Sequence, residues 1–245
     1  MSATVVGRRR GASWRTVLAR ISVTCAIGAL TGAVIGGAGG RLAMLVLRLT
    51  SDPSLHGRET DDGFTIGVIS GATLFLVGLT AFLGVAGALV YAATRSWVPA
   101  RLRPWAAAVV AGAVGGAEVI RPDGIDFTLL EPLPLAVAMF VALPAAYGAA
   151  LSVLLERSFA RPAPKGWPAL LGLVLLTPIV LTGLRSPVEI ALGVVALAAA
   201  LLFARSWLEA VWTSRPVTWL ARAGILAVTA LAVVVLIGDI ADVLA

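Results

Sequence analysis

The amino-acid sequence predicts an all-α fold, a polytopic transmembrane helical bundle of about seven spans. Of the 245 residues, 59% are hydrophobic and only 13% are charged, and the mean hydropathy is +0.97. Because soluble domains carry about 25% charged residues, this composition excludes a water-soluble fold. The apolar runs are long and continuous rather than short and alternating, which excludes a β-barrel. Helices remain, since each helix satisfies its own backbone hydrogen bonds in lipid.

Seven apolar stretches, bounded by charges or by Pro and Gly, have the length that crosses a bilayer. The predicted spans are, approximately, residues 21–40, 66–93, 105–120, 133–155, 167–184, 188–204 and 223–242. Only residues 185–187 separate the fifth span from the sixth, so these two form either a tight helical hairpin or a re-entrant pair. The sequence thus divides into a basic amino-terminal segment (1–20), a four-helix membrane core with two acidic outer loops (21–155) and a region with three further spans (156–245).

The basic residues orient the predicted bundle. With the amino terminus in the cytoplasm, 14 of the 19 Lys and Arg residues fall inside and the other five fall outside. This excess follows the positive-inside rule and places the carboxyl terminus outside. All seven Trp residues also fall on the inner side, where indole rings favour the headgroup boundary. Residues 205–222 contain three Trp and three Arg, which predicts an interfacial helix broken near Pro216, or alternatively a helix that binds a partner protein.

Glycines at four-residue spacing predict close helix packing in the first span. They form a glycine zipper that consists of Gly28, Gly32, Gly36 and Gly40. Without Cβ atoms on this face, a neighbouring helix gains dispersion contacts at short range, which drives association in lipid. The third span has Ala108, Gly112 and Gly116 in the same register. The pattern fits either packing within the chain or a seam with a second copy or another membrane protein.

The acidic residues mark a candidate site at the outer face. Eleven of the 13 Asp and Glu residues lie outside or at the outer boundary, mostly in the loops 50–65 and 121–132. The candidate outer cap consists of Asp61, Asp62, Asp123, Asp126, Glu131, Arg41, Arg121 and Glu118. Its carboxylates could hold a hard cation such as Ca²⁺ or Mg²⁺, pair with the two arginines as a structural cap, or serve acid–base chemistry. Glu118 precedes Arg121 by three residues, a spacing that places two residues on one helix face.

Other kinds of site are excluded by composition. The single Cys25 allows no intrachain disulfide and no cysteine-based metal site, and the single His56 excludes sites that need several imidazoles. No nucleotide-binding loop, nucleophile elbow or zinc-protease helix is present. The sequence therefore predicts no catalytic residue, no cofactor other than the cation considered above, and no nucleic-acid partner. The lipid bilayer is the predicted partner.

Three strings carry a resemblance to a protein family. They are GGRLAM at residues 39–44, TDDGF at residues 60–64 and DGIDFTLLEP at residues 123–132. With these strings the sequence resembles a group of uncharacterised polytopic integral membrane proteins of high-GC Gram-positive bacteria. The group has no established activity, so the resemblance implies a plasma-membrane location but neither a substrate nor site residues.

Three functions remain open from the sequence. The first is a non-enzymatic, multi-pass plasma-membrane protein with a structural or assembly role. The alternative is a component of small-solute or ion transport whose entrance is the acidic outer face. The third is a membrane-embedded enzyme that uses Asp and Glu at that face.

Overall fold

The computed structural model describes residues 13–52, 71–122, 132–176 and 206–244, and the fold is all-α. The helices, in chain order, are α1 (Trp14–Thr31), a π-helical segment (Gly32–Gly39), α2 (Gly40–Thr50), α3 (Gly71–Thr94), α4 (Arg103–Val119), α5 (Leu133–Phe159), α6 (Ser206–Trp212) and α7 (Arg215–Leu244). Short 3₁₀ turns at Arg95–Trp97 and Ala100–Leu102 connect α3 to α4, and a 3₁₀ helix at Trp167–Leu176 follows α5.

Four helices of the described chain are long and apolar enough to cross a membrane. They are Trp14–Thr50, Thr73–Trp97, Leu133–Phe159 and Arg215–Leu244. At about 1.5 Å per residue, 25 residues reach about 37 Å, which exceeds the hydrocarbon core of about 30 Å. The predicted sixth span and the second half of the fifth lie outside the described residues. The number of seven spans therefore stays a prediction.

The first helix is longer than the sequence predicts. The predicted span ends at Gly40, before the charge of Arg41, whereas the helical stretch continues to Thr50 over 37 residues. The extension is stabilised by packing, because Ala43 and Leu47 lie one turn apart on the same face and are 1% and 0% exposed. Leu47 belongs to a core cluster with residues of α5 and α7. Because this face is buried, the helix continues past Arg41.

Helices α1 and α3 touch through their glycines. Three of the four regularly spaced glycines contact α3: Gly28, Gly32 and Gly36. A Cβ on Gly28 would collide with the carbonyl oxygen of Gly84, and a Cβ on Gly84 would collide with the carbonyl oxygen of Gly28. Gly40 has no such neighbour within 4 Å. The close approach that the spacing predicts is therefore a contact within this chain, and it covers the first three positions.

A second close contact joins α4 to α5. A Cβ on Gly148 of α5 would collide with the carbonyl oxygen of Ala107 of α4. A Cβ on Gly112 would lie 3.1 Å from the Cβ of Ala145, and one on Gly116 would lie 3.2 Å from a side chain of α7. Because these glycines have no side chain, α4 packs closely against both α5 and α7.

The helix termini meet at two ends of the bundle. The amino termini of α1, α4 and α7 come together with the carboxyl termini of α3 and α5, and we refer to this end as the basic end. Every Trp of the described residues belongs to the basic end or its connections. At the opposite end, a cluster that includes Leu47, Ile120, Val137 and Val243 closes the bundle. Helix α7 is the least buried of the four long helices.

Candidate functional site

Most of the predicted outer cap lies outside the described residues. This applies to Asp61, Asp62, Asp123, Asp126 and Glu131, and also to His56. The other three cap residues belong to the end opposite the basic end. Arg41 is half-buried in the first turn of α2, Glu118 is exposed in the last turn of α4, and Arg121 is exposed. Because α4 ends at Val119, Arg121 lies beyond the helix that carries Glu118.

In the part of the chain that the structure describes, no three His, Cys, Asp or Glu side chains lie close enough together to hold a metal ion. Cys25 is fully buried in the core between α1 and α3, where it packs against Val85 and Leu89. In this environment Cys25 packs as a small apolar side chain does.

The polar centre of the described structure is Glu156, in the last turn of α5. Its Oε1 accepts a hydrogen bond from Nε of Arg95 at 2.7 Å and one from the hydroxyl of Tyr91 at 2.9 Å. Its Oε2 accepts one from Nη2 of Arg95 at 3.0 Å and one from Nη1 of Arg103 at 2.8 Å. Four donors thus converge on one carboxylate. We refer to Tyr91, Arg95, Arg103, Ser152 and Glu156 as the Glu156 cluster.

The chain that connects α3 to α4 positions the two arginines. Arg95 begins the 3₁₀ turn after α3, and Arg103 is the first residue of α4. The Nε of Arg103 donates to the carbonyl oxygens of Arg95 and Val98, at 3.0 and 3.1 Å, so the connection folds around its side chain. These bonds fix the guanidinium of Arg103 and leave Nη1 for Glu156.

Tyr91 and Ser152 extend the cluster into the bundle. Ser152 lies one turn before Glu156 on α5 and is 0% exposed. Its hydroxyl is 2.8 Å from the hydroxyl of Tyr91, which in turn donates to Glu156. The cluster therefore joins α3, α4 and α5 through side chains that are far apart in the sequence.

Partial burial strengthens these charged hydrogen bonds. The side chains of Arg95, Arg103 and Glu156 are 27%, 16% and 28% exposed. Charges that are partly removed from water attract each other more strongly than charges on an open surface. The guanidinium of Arg95 also lies over the ring of Phe159, at 4.6 Å from its centroid, a cation–π geometry.

A third arginine holds the carboxyl end of α5 against α1. Arg20 of α1 donates from Nη1 to the carbonyl oxygens of Ser158 and Phe159, and from Nη2 to that of Arg161, at distances of 2.9–3.3 Å. The last carbonyl oxygens of a helix have no partner within it. They also form the negative end of its dipole, so a guanidinium is a favourable partner there.

Two tryptophans connect α6 and α7 to α3. The rings of Trp97 and Trp212 stack with centroids 4.7 Å apart. Nε1 of Trp97 donates to the carbonyl oxygen of Trp212 at 3.0 Å, and Nε1 of Trp212 donates to that of Ala93 at 2.8 Å. Arg222 of α7 donates to the carbonyl oxygen of Trp97 at 2.7 Å. The tryptophan pair thus anchors α6, and Arg222 anchors α7, at the carboxyl end of α3.

The Glu156 cluster was not among the predicted sites. The predicted site lies where acids are concentrated in the sequence, whereas Glu156 is one of only two acids on the predicted inner side. The signal that could have indicated it is its isolation, since a single carboxylate at the end of an apolar span, among many arginines, requires partners.

A search of family models, curated proteins and solved structures found no match to this chain.

Proposed function

We propose that this chain is a multi-pass protein of the plasma membrane with a non-enzymatic, structural or assembly role. Its four long apolar helices support the membrane location. The resemblance described above supports the plasma membrane in particular. The excess of cations on one predicted side supports the orientation with the amino terminus in the cytoplasm.

The observation that supports a structural role is that the carboxylate of Glu156 is fully hydrogen-bonded within the chain. An ionised carboxylate has about four lone-pair sites, and Glu156 accepts four hydrogen bonds from its own chain. A general acid or base must reach the proton that it transfers on a substrate. The carboxylate of Glu156 is directed to Tyr91, Arg95 and Arg103 instead. It joins helices, as a structural ion pair does.

The packing of α1 on α3 supports the same role. A transport component needs a polar path between its helices or repeats. At Gly28 and Gly84 the two backbones are so close that a single methyl group would not fit between them. No solute passes between these two helices at this level unless they separate.

Reconstitution in vesicles tests the absence of transport. The full chain is inserted into vesicles of phosphatidylcholine and phosphatidylglycerol that contain an ion-sensitive dye. A structural role predicts an ion leak equal to that of vesicles without protein, for the wild type and for Glu156→Gln alike. A saturable flux in the wild type would contradict the proposal and support the transport alternative.

Photo-crosslinking in native membranes tests the assembly role. A photoreactive amino acid replaces Leu231, which is 67% exposed on α7, and as a control it replaces Leu89, which is fully buried. An assembly component gives one discrete protein adduct from position 231 and none from position 89. An adduct of twice the chain's mass would identify a second copy. Adducts with lipid alone would contradict an assembly role for this face.

A further inference from the structure

We infer that the basic end binds the headgroups of anionic phospholipids in the inner leaflet. The inference rests on the proposed function, because it requires that the chain spans the membrane with this end inside. It deepens that function by naming a class of ligand, the phosphate diesters of lipids with a net negative charge, and a surface that binds them.

The first argument is the excess of positive charge at the basic end. The described residues of the basic end include ten cations but only two carboxylates. The cations are Arg15, Arg20, Arg95, Arg101, Arg103, Arg157, Arg161, Lys165, Arg215 and Arg222, and the carboxylates are Glu156 and Glu209. Glu156 is already bound by two arginines. The described residues of the basic end therefore carry an excess of positive charge, which attracts anions.

The second argument is the turn at the carboxyl end of α5. Arg157 and Arg161 are exposed on this turn. The guanidinium of Arg20 lies against the same turn, hydrogen-bonded to the carbonyl oxygens of Ser158 and Arg161. Three arginines thus belong to one short stretch of surface. Guanidinium groups bind phosphate oxygens through paired hydrogen bonds, which makes arginine a suitable ligand for a lipid phosphate.

The third argument is the level of this surface relative to the bilayer. Four tryptophans at the basic end are exposed: Trp14 by 61%, Trp105 by 73%, Trp167 by 74% and Trp219 by 70%. Indole rings favour the boundary between hydrocarbon and headgroups. The arginines of the α5 turn lie at the same end, and they are therefore expected at the level of the lipid phosphates.

A lipid fits these observations better than a soluble polyanion does. Exposed tryptophans occur on α1, on α4, on the 3₁₀ helix and on α7, so they are distributed around the basic end rather than confined to one patch. A bilayer contacts all of these elements at once. A peptide or nucleic acid that docks on one patch would leave most of the indole rings without a partner.

Fluorescence quenching by brominated lipids tests the inference. The full chain is reconstituted in mixtures of plain phosphatidylcholine with brominated phosphatidylglycerol or with brominated phosphatidylcholine, and quenching of tryptophan gives the relative binding constant of the two lipids. We expect phosphatidylglycerol to be preferred. Removal of one arginine should lower this preference by up to about fivefold, the contribution of one basic residue near an anionic surface.

The test variant is the double substitution Arg157→Gln and Arg161→Gln, and the matched control is Arg121→Gln at the opposite end. The inference predicts that the double variant loses most of the preference and that the control keeps it. A rise in salt from 0.05 to 0.5 M should weaken the preference of the wild type, because exposed charges are screened over roughly 4 Å at the higher salt.

Three results would overturn the inference. One is an equal affinity of the wild type for both lipids, and another is an equal loss in the control and the double variant. The third is loss of the preference when free inorganic phosphate is added at constant ionic strength, which would indicate a site for a small anion. Extraction of native membranes with alkaline carbonate separates these results from a failure of the proposed function. A chain that resists extraction spans the membrane whatever its lipid preference.

Discussion

Substitution of Glu156 by Gln tests whether the Glu156 cluster holds the basic end together. Glutamine keeps the shape of the side chain and one oxygen, but it replaces the other oxygen by an amide NH₂ group, which is a donor. Two of the four hydrogen bonds at Glu156 therefore lose their acceptor, and the donors of Arg95 or Arg103 then face another donor.

The magnitude follows from the geometry. A hydrogen bond to a charged group contributes about 1.5–3 kcal/mol, so two such bonds contribute about 3 kcal/mol at the lower limit. The side chains of the cluster are 16–28% exposed, and solvent reduces the contribution of charges in contact with it. We therefore expect a loss of about 2 kcal/mol in the free energy of unfolding. For a chain of this size such a loss corresponds to a decrease in Tm of about 4–8 °C.

The assay is thermal unfolding of the purified chain in detergent, followed by tryptophan fluorescence. Glu209→Gln is the matched control, since it is the same substitution at the same end on an exposed side chain. We expect its effect to stay within about 0.5 kcal/mol, as for other surface positions. A double-mutant cycle with Arg103→Gln should give a coupling energy of at least about 0.5 kcal/mol, as for residues in one network. Equal Tm values for Glu156→Gln and Glu209→Gln would refute the reasoning.

Two further substitutions test other contacts in the same assay. Gly84→Ala should lower Tm, because its Cβ would collide with a carbonyl oxygen of α1. The control Gly78→Ala on the same helix meets nothing within 4 Å and should raise the free energy of unfolding by about 0.4–1 kcal/mol. Effects of the same sign for both variants would show that the α1–α3 contact is looser than described. Trp97→Phe removes the hydrogen bond to the carbonyl oxygen of Trp212 but keeps an aromatic ring, so it should cost about 1 kcal/mol. Trp219→Phe, at an indole that is 70% exposed, is the control, and an equal effect of the two would contradict the anchoring of α6 by the tryptophan pair.

Much of the fold could be predicted from the sequence, because lipid imposes long apolar segments. The predicted spans 105–120 and 133–155 differ by a few residues from α4 (Arg103–Val119) and α5 (Leu133–Phe159). The helix that contains the predicted first span (21–40) extends beyond it at both ends, from Trp14 to Thr50. The charge of Arg41 ends the apolar run in the sequence, but the helix continues because its next turns are buried against α5 and α7.

The pairing of elements could not be predicted in the same way. The four-residue spacing of glycines indicates which face of the first helix packs closely, but no local pattern indicates that Gly84 of α3 is opposite Gly28. The same limit applies to Glu156, whose partners Arg95 and Arg103 precede it by 61 and 53 residues. Contacts of this kind depend on how the helices are arranged in space. The acids of segments 50–65 and 121–132, by contrast, form a candidate site in the sequence because they are close together along the chain.

Labelling of introduced cysteines in intact cells tests the central claim most directly, namely that the chain spans the plasma membrane with its basic end in the cytoplasm. Ser96→Cys places a thiol at an exposed position of the basic end, and Ser54→Cys places one in the chain between α2 and α3. The native Cys25 is 0% exposed and serves as an unreactive background. We predict that an impermeant maleimide labels the cysteine at position 54 from outside and reaches position 96 only after permeabilisation. Labelling of position 96 in intact cells, alone or together with position 54, would contradict the account.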